Sequence, residues 1–192
     1  MTHSLPLRRP ALLLLLLFAS ALALGAATAQ ALPTTVLLVR HAEKANKSAD
    51  TPLKEPKGFL RARALANAVG EFGISAVVAS EFLRTQQTVA ATASHLGLEE
   101  SVIQMTDPQA IADEILSHYR GRTVLVVGHS DTVPQIIEAL GGPSLCPNRG
   151  GVLVKGECRI RDKEYDNLYI LRVPESGPAG FMATRYGEPS GR

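Results

Sequence analysis

The chain has 192 residues and a formal charge of +2, from 20 Lys and Arg against 18 Asp and Glu, and 45% of it is hydrophobic. That is enough apolar material for one packed domain and excludes wholesale disorder. Near-neutrality without a Lys/Arg block argues against a nucleic-acid binder, and two cysteines exclude a disulfide-dense miniature scaffold.

The chain opens on a leader. Arg8 and Arg9 precede an apolar run from Ala11 to Leu24, and small residues follow as far as Ala27, Thr28 and Ala29. A basic start, an apolar middle and an A-x-A ending predict a secretory signal peptide over residues 1–29. Ala29, Gln30 and Ala31 offer an alternative cleavage site. An uncleaved anchor is the competing reading, but the run is short for a full span. Cleavage removes Arg8 and Arg9 and no acid, so a single domain over 30–192 is charge-balanced. No later run is long enough to cross a bilayer. The expectation is a periplasmic or secreted domain, free of the membrane once the leader is cut.

Thr34 to Arg40 is a short β-branched and leucine run, the pattern of a strand buried on both faces. Gly58 to Val69 sets Leu60, Ala64, Leu65, Ala68 and Val69 at helical spacing, with Gly70 and Gly73 behind them. Ile74 to Ala79 predicts a second buried strand, and Leu83 to Leu96 a second helix ended by Gly97. Ser101 to Met105 is a weaker strand. Pro108 to Tyr119 is a helix with proline in its first turn and Asp107 as its N-cap. Thr123 to Val127 is a clear strand, and Thr132 to Leu140 a helix stopped by Gly141, Gly142 and Pro143.

Strands alternating with helices predict an α/β fold, a mostly parallel sheet flanked by helices on both faces. After residue 144 the rhythm changes. Leu168 to Val173 and Phe181 to Arg185 are strands with no helix between them, which predicts a hairpin and an antiparallel C-terminal edge. Cys146 and Cys158 lie in a loop rich in glycine, proline and charge. Outside the cytoplasm a disulfide closing that loop is expected; free thiols are the alternative.

Ligands of open α/β sheets bind beyond the carboxyl ends of the strands. The first strand ends Arg40-His41, the second ends at Ser80 with Arg84 four residues on, the third is followed by Asp107, and the fourth ends Gly128-His129-Ser130. Two arginines and two imidazoles on one rim point to an anionic substrate, most simply a phosphate. A neutral imidazole can attack phosphorus while the cations stabilise the equatorial oxygens. No P-loop, dinucleotide fingerprint, H-E-x-x-H or G-x-S-x-G pattern competes.

Three segments carry a resemblance. Leu37 to Lys44, with Arg40-His41-Ala42-Glu43 at its centre, resembles the R-H-G-E signature of the histidine phosphatase superfamily, the phosphoglycerate mutase-like proteins. Ser80 to Thr88 resembles its S-x-x-x-R-[AT]-x-Q-T segment, and Val126 to Pro134 its G-H-S motif. The motifs stand in family order, and Tyr165 to Leu168 with Arg185 to Gly187 resemble the last strands of small secreted bacterial members. The resemblance implies His41 as the nucleophile that forms a phosphohistidine, and Arg40, Arg84 and His129 as the rest of the phosphate pocket. It implies no metal and no organic cofactor.

The chain departs from the pattern in three places. Ala42 replaces the glycine. Leu53 to Gly58 is one residue longer than the usual L-T-x-x-G. The glutamate that many members place after the third strand, as proton donor to the leaving oxygen, is missing. Asp107 stands nearest to it and is the first candidate for general acid; Glu81 and Asp131 are the others. The expected activity is hydrolysis of a small phosphorylated substrate. A protein phosphohistidine phosphatase and a phosphate-binding envelope protein with impaired turnover are the alternatives.

Overall fold

The computed structural model describes residues 31–192 apart from Met105, Thr106, Asn148 and Arg192. The chain divides into two units, Met1–Gln30 and Ala31–Arg192. The expected leader therefore lies outside the described residues. Among those described, no helix is long and apolar enough to cross a membrane.

The alternation expected from the sequence is present. In chain order the elements are β1 (Thr34–Arg40), α1 (Lys57–Val69), β2 (Ala76–Ser80), α2 (Leu83–Leu96), β3 (Glu100–Ile103), α3 (Pro108–His118), β4 (Thr123–Gly128) and α4 (Thr132–Ala139). They are followed by β5 (Gly151–Val154), β6 (Glu157–Ile160), β7 (Asn167–Val173) and β8 (Gly180–Arg185). The main sheet has six strands in the order β3-β2-β4-β1-β7-β8. The first four run parallel, and β7 and β8 are antiparallel additions.

The apolar runs serve both faces of this sheet because side chains alternate along a strand. Leu37, Val39, Leu125 and Val127 point to one side and pack with Leu65 and Val69 of α1 and Val89 and Ala93 of α2. Val36, Leu38, Val124 and Val126 point to the other and pack with Ile111 and Ile115 of α3 and Ile136 and Ile137 of α4. A run that must be apolar on both faces shows no period of two, which is why β1 and β4 read as continuous hydrophobic strands.

One element departs from the sequence reading. The segment after Pro143 has the composition of a loop, but it holds a separate two-stranded sheet, β5 against β6. Its turn is Lys155-Gly156, both at positive φ (53° and 85°), the backbone of a tight hairpin. Leu153 and Val154 of this hairpin are exposed, so no core pattern marks it. The expected Cys146–Cys158 disulfide is present, with Cα atoms 5.8 Å apart. Gly151 lies against it: a Cβ there would fall 2.6 Å from one sulfur and 2.8 Å from the other.

Candidate active site

Strand register builds the site. Arg40 of β1 pairs with Gly128 of β4, and Ala79 of β2 pairs with Val127 of β4. The next residues along these neighbouring strands are His41, His129 and Ser80. The backbone N–H of His41 donates to the Gly128 carbonyl at 2.9 Å, extending the ladder one step past the strand. The two imidazoles face each other edge-on, with centroids 5.5 Å apart.

His41 is oriented by its own chain. Its Nδ1 lies 2.7 Å from the Ala42 carbonyl oxygen. A carbonyl can only accept, so Nδ1 carries the proton and Nε2 keeps its lone pair. Burial is the largest influence on its pKa. Together with the charges of Arg40, His129 and Arg84 it holds the imidazole down to about 2, against the favourable contact with Ala42. His41 is thus a neutral, oriented base.

His129 has the opposite tautomer. Arg84 Nη2 approaches its Nδ1 at 3.3 Å, and a guanidinium can only donate. The proton therefore sits on Nε2, which donates to Ser80 Oγ at 2.9 Å. Ser80 Oγ lies 2.8 Å from Thr85 Oγ1, whose hydroxyl reaches the Phe82 carbonyl at 2.6 Å. This relay runs in one direction, from His129 to the first turn of α2. Burial, then the Arg84 charge, lowers the His129 pKa to about 4.

The two arginines are held from behind. Arg40 Nη1 donates to the carbonyls of Arg161 (3.0 Å), Asp162 (3.0 Å) and Glu164 (3.2 Å). Its guanidinium stacks 4.3 Å from the centre of the Tyr165 ring. Arg84 Nη1 donates to the Ala49 carbonyl, and its guanidinium stacks 4.5 Å from the Phe82 ring centre. The Nε–H of each arginine is buried with no acceptor among the described residues. Unmatched buried donors on two cations suit an anion.

The loop after His41 is tied down by α1 and α2. Ala42 N–H donates to Thr88 Oγ1 (2.9 Å), and Leu53 N–H to Gln87 Oε1 (2.8 Å). Glu43 is buried and takes a bidentate approach from Arg61, with contacts of 2.8 to 3.0 Å. Gly58 lets α1 come this close: a Cβ there would sit 2.5 Å from the Glu43 carbonyl oxygen.

Arg40, His41, Arg84 and His129 are thus brought together. Asp107 is placed elsewhere in kind. It is exposed, and its Oδ1 accepts from Gln109 N–H (3.0 Å) and Ala110 N–H (3.2 Å) as the cap of α3. Asp131 caps α4 through Thr132 N–H (3.0 Å) and lies 3.5 Å from Arg159, and its charge acts on Arg40, Arg84 and His129 alike. The Glu81 charge acts on Arg84 and His129. Among the described residues no group of three or more His, Cys, Asp or Glu is arranged to hold a metal ion. Sequence reasoning missed Tyr165 and the carbonyls of 161, 162 and 164, which no residue type could signal. It also missed the roles of Ser80 and Thr85, although both lie inside the second motif.

Residues 36–107 match the model of the histidine phosphatase superfamily, branch 1. No curated protein sequence matches the chain. Its fold is similar to that of a protein provisionally assigned as the phosphohistidine phosphatase SixA from Agrobacterium tumefaciens, at 21% identity and a TM-score of 0.59, covering 82% of this chain and 99% of that one. A second SixA-assigned protein, from Nakamurella multipartitia, shares 25% identity at a TM-score of 0.55, covering 83% and 98%. Mycobacterial glucosyl-3-phosphoglycerate phosphatase shares 15% at 0.52, covering 71% and 89%. The family match begins at β1 and spans the first two motifs, and in those motifs and in its fold the chain is similar to the histidine phosphatase superfamily.

Proposed function

We propose that this protein is a phosphomonoesterase that hydrolyses a small phosphorylated substrate through a phosphohistidine on His41. The observation that carries this reading is the state of His41: neutral, with Nδ1–H on the Ala42 carbonyl and Nε2 free among Arg40, Arg84 and His129. In the first step the Nε2 lone pair attacks phosphorus and the ester oxygen leaves with its electron pair. Arg40 and Arg84 bind the equatorial oxygens, where charge gathers in a loose transition state, and His129 joins them through Nδ1 once the bound anion has drawn a proton onto that ring. In the second step water attacks the phosphohistidine, phosphate departs and His41 regains its lone pair.

The leaving oxygen needs a proton unless it is a weak base. With Asp107 engaged as a helix cap, Asp131 becomes the first candidate for that donor, because its charge reaches all three partners of His41. An aspartate that also caps a helix and faces Arg159 is a modest donor for this task. The reading therefore favours leaving groups that depart without much help, such as aryl phosphates or phosphoramidates. A protein phosphohistidine phosphatase is the second reading, favoured by the same leaving-group argument and by the likeness to the SixA-assigned proteins. The leader-like N-terminus and the Cys146–Cys158 disulfide support a site of action in the periplasm or outside the cell.

The test is hydrolysis of p-nitrophenyl phosphate by the purified chain, with and without EDTA, beside His41→Ala. Turnover that EDTA leaves intact and His41→Ala abolishes supports the reading. An inert wild type that still binds vanadate supports a phosphate-binding protein instead.

A further inference from the structure

The Arg40 clamp is made by backbone, not by side chains. Three carbonyls from residues 161 to 164 accept from a single nitrogen, Nη1. Carbonyl oxygens stay where the chain puts them, so this cradle is only as fixed as the segment that carries it. That segment is the direct continuation of β6. Along β6 and its exit, the chain meets the site three times in four residues. Arg159 lies 3.5 Å from Asp131, Ile160 N–H donates to the Ser130 carbonyl at 2.7 Å, and Arg161 and Asp162 present their carbonyls to Arg40.

Among the described residues β6 is otherwise held by packing against α4 and by few further ties. Among the described residues its only sheet partner is β5, and the pair stands apart from the main sheet. Leu153 and Val154 of β5 are exposed. The firm attachments are Ile160, which is buried in the core cluster, and Cys158. Cys158 is bonded to Cys146, next to the fully buried Leu145 at the end of the α4 region. The Gly151 backbone sits directly on both sulfurs, so β5 is held by the same bridge.

We infer that the Cys146–Cys158 disulfide is a positioning device for the phosphate pocket: it anchors β6, β6 fixes the carbonyl cradle, and the cradle aims Arg40. The consequence is an enzyme whose anion affinity depends on oxidation of these two thiols. Reduction by a thiol or phosphine reductant cleaves the Sγ–Sγ bond and gives two thiols. The cradle is then set by one covalent tie fewer, and Arg40 is no longer held behind His41. Chain that remains in a reducing compartment has a slack pocket, and the pocket tightens only after export to an oxidising one. This rests on the phosphate-pocket reading above, but it concerns binding and does not require turnover.

The experiment compares oxidised chain, chain reduced with a phosphine, and the Cys146→Ser/Cys158→Ser variant, at a temperature well below every melting transition. It reads the dissociation constant of orthovanadate by calorimetry, and KM and kcat for p-nitrophenyl phosphate. Loss of a charge-assisted cradle predicts a vanadate constant and a KM raised by about tenfold or more, with kcat changed less, and full recovery on reoxidation. Ile115→Ala, a remote core cavity that lowers the melting temperature, serves as control and leaves KM unchanged. If the serine variant does not fold, Gly151→Ala keeps both cysteines while pressing a methyl group on both sulfurs, and it raises the vanadate constant in the same direction. A lower melting temperature with unchanged vanadate constant and KM would overturn the inference and leave the disulfide a stabiliser only. Absent turnover with redox-dependent vanadate binding would overturn the proposed function but support the inference. Absent turnover with no vanadate binding would overturn both.

Discussion

Glu43→Gln separates the frame of the site from its chemistry. The two side chains of the Glu43–Arg61 pair are 8% and 2% exposed, and Arg61 makes its contacts through both Nε and Nη2. Arg61 also donates to the Glu188 carbonyl at 3.0 Å, so the pair links the loop after His41 to α1 and the C-terminal segment. Glutamine keeps one acceptor, turns an amide NH₂ toward the guanidinium and removes the carboxylate that faces a buried cation. Breaking such a pair from one side costs about 3–5 kcal/mol. Lys57, 3.5 Å from Glu43 but 58% exposed, adds little. Against a typical total of roughly 5–15 kcal/mol this is a large fraction. It corresponds to a melting temperature lower by about 6–20 °C in a domain of this size. The assay is urea unfolding followed by circular dichroism, run beside the Glu43→Met/Arg61→Met double variant. Most of the loss comes from the uncompensated cation, so the double variant should be the more stable of the two. A Glu43→Gln chain within about 1 kcal/mol of wild type, or a double variant less stable than the single, would refute this reasoning.

Ser80→Ala leaves His129 Nε2–H buried without its acceptor and frees the tautomer that faces Arg84. It should lower kcat/KM about 10- to 100-fold, equivalent to ~1–3 kcal/mol, in steady-state assays on p-nitrophenyl phosphate. Tyr165→Leu removes the ring beneath Arg40 and should raise KM about two- to fivefold, whereas Tyr165→Phe keeps the stack and should leave KM near wild type. The two imidazoles make stability pH-dependent. Their folded pKa values, about 2 for His41 and about 4 for His129, lie below the ordinary 6.5, so the unfolded chain takes up protons first. Their contribution is full above pH 6.5 and falls as the pH drops through 6.5 toward those values. In the lower part of that window each imidazole removes about 1.4 kcal/mol per pH unit. Bound phosphate favours protonated rings, so saturating phosphate should flatten the loss measured by urea unfolding between about pH 7 and pH 5; an equal slope with and without phosphate would contradict the placement of both rings at the anion site.

Most of the sheet is legible in the amino-acid sequence because parallel strands buried on both faces have a plain signature. Val36 to Val39 and Val124 to Val127 are apolar at every position, and every one is fully buried. The helix ends are legible for equally local reasons: Gly97 adopts the left-handed conformation after α2, and Asp107 caps α3. The four-residue cluster is legible because Arg40, His41 and His129 stand where strands end and Arg84 opens the helix that follows β2. What escapes is non-local or made by backbone. In the β5–β6 hairpin Leu153 and Val154 are exposed and Ile160 alone is buried in the core, too little to impose a period, and only the Lys155-Gly156 turn could mark it. The carbonyl cradle of Arg40 lies 121 to 124 residues from it in sequence and is independent of residue identity. Asp107 as acid and Asp107 as cap look alike in sequence, and what separates them is capping geometry, which exists only in space.

The central claim is that His41 Nε2 becomes bonded to phosphorus. The direct measurement is rapid-quench trapping with p-nitrophenyl phosphate under mildly alkaline conditions, which preserve phosphohistidine, followed by peptide mass spectrometry. The account predicts one phosphoryl group on the peptide bearing His41, acid-labile, absent from His41→Ala and formed at a rate no slower than steady-state turnover. Turnover without any trapped phosphoryl group, or a phosphoryl group on His129 or another residue, would contradict it.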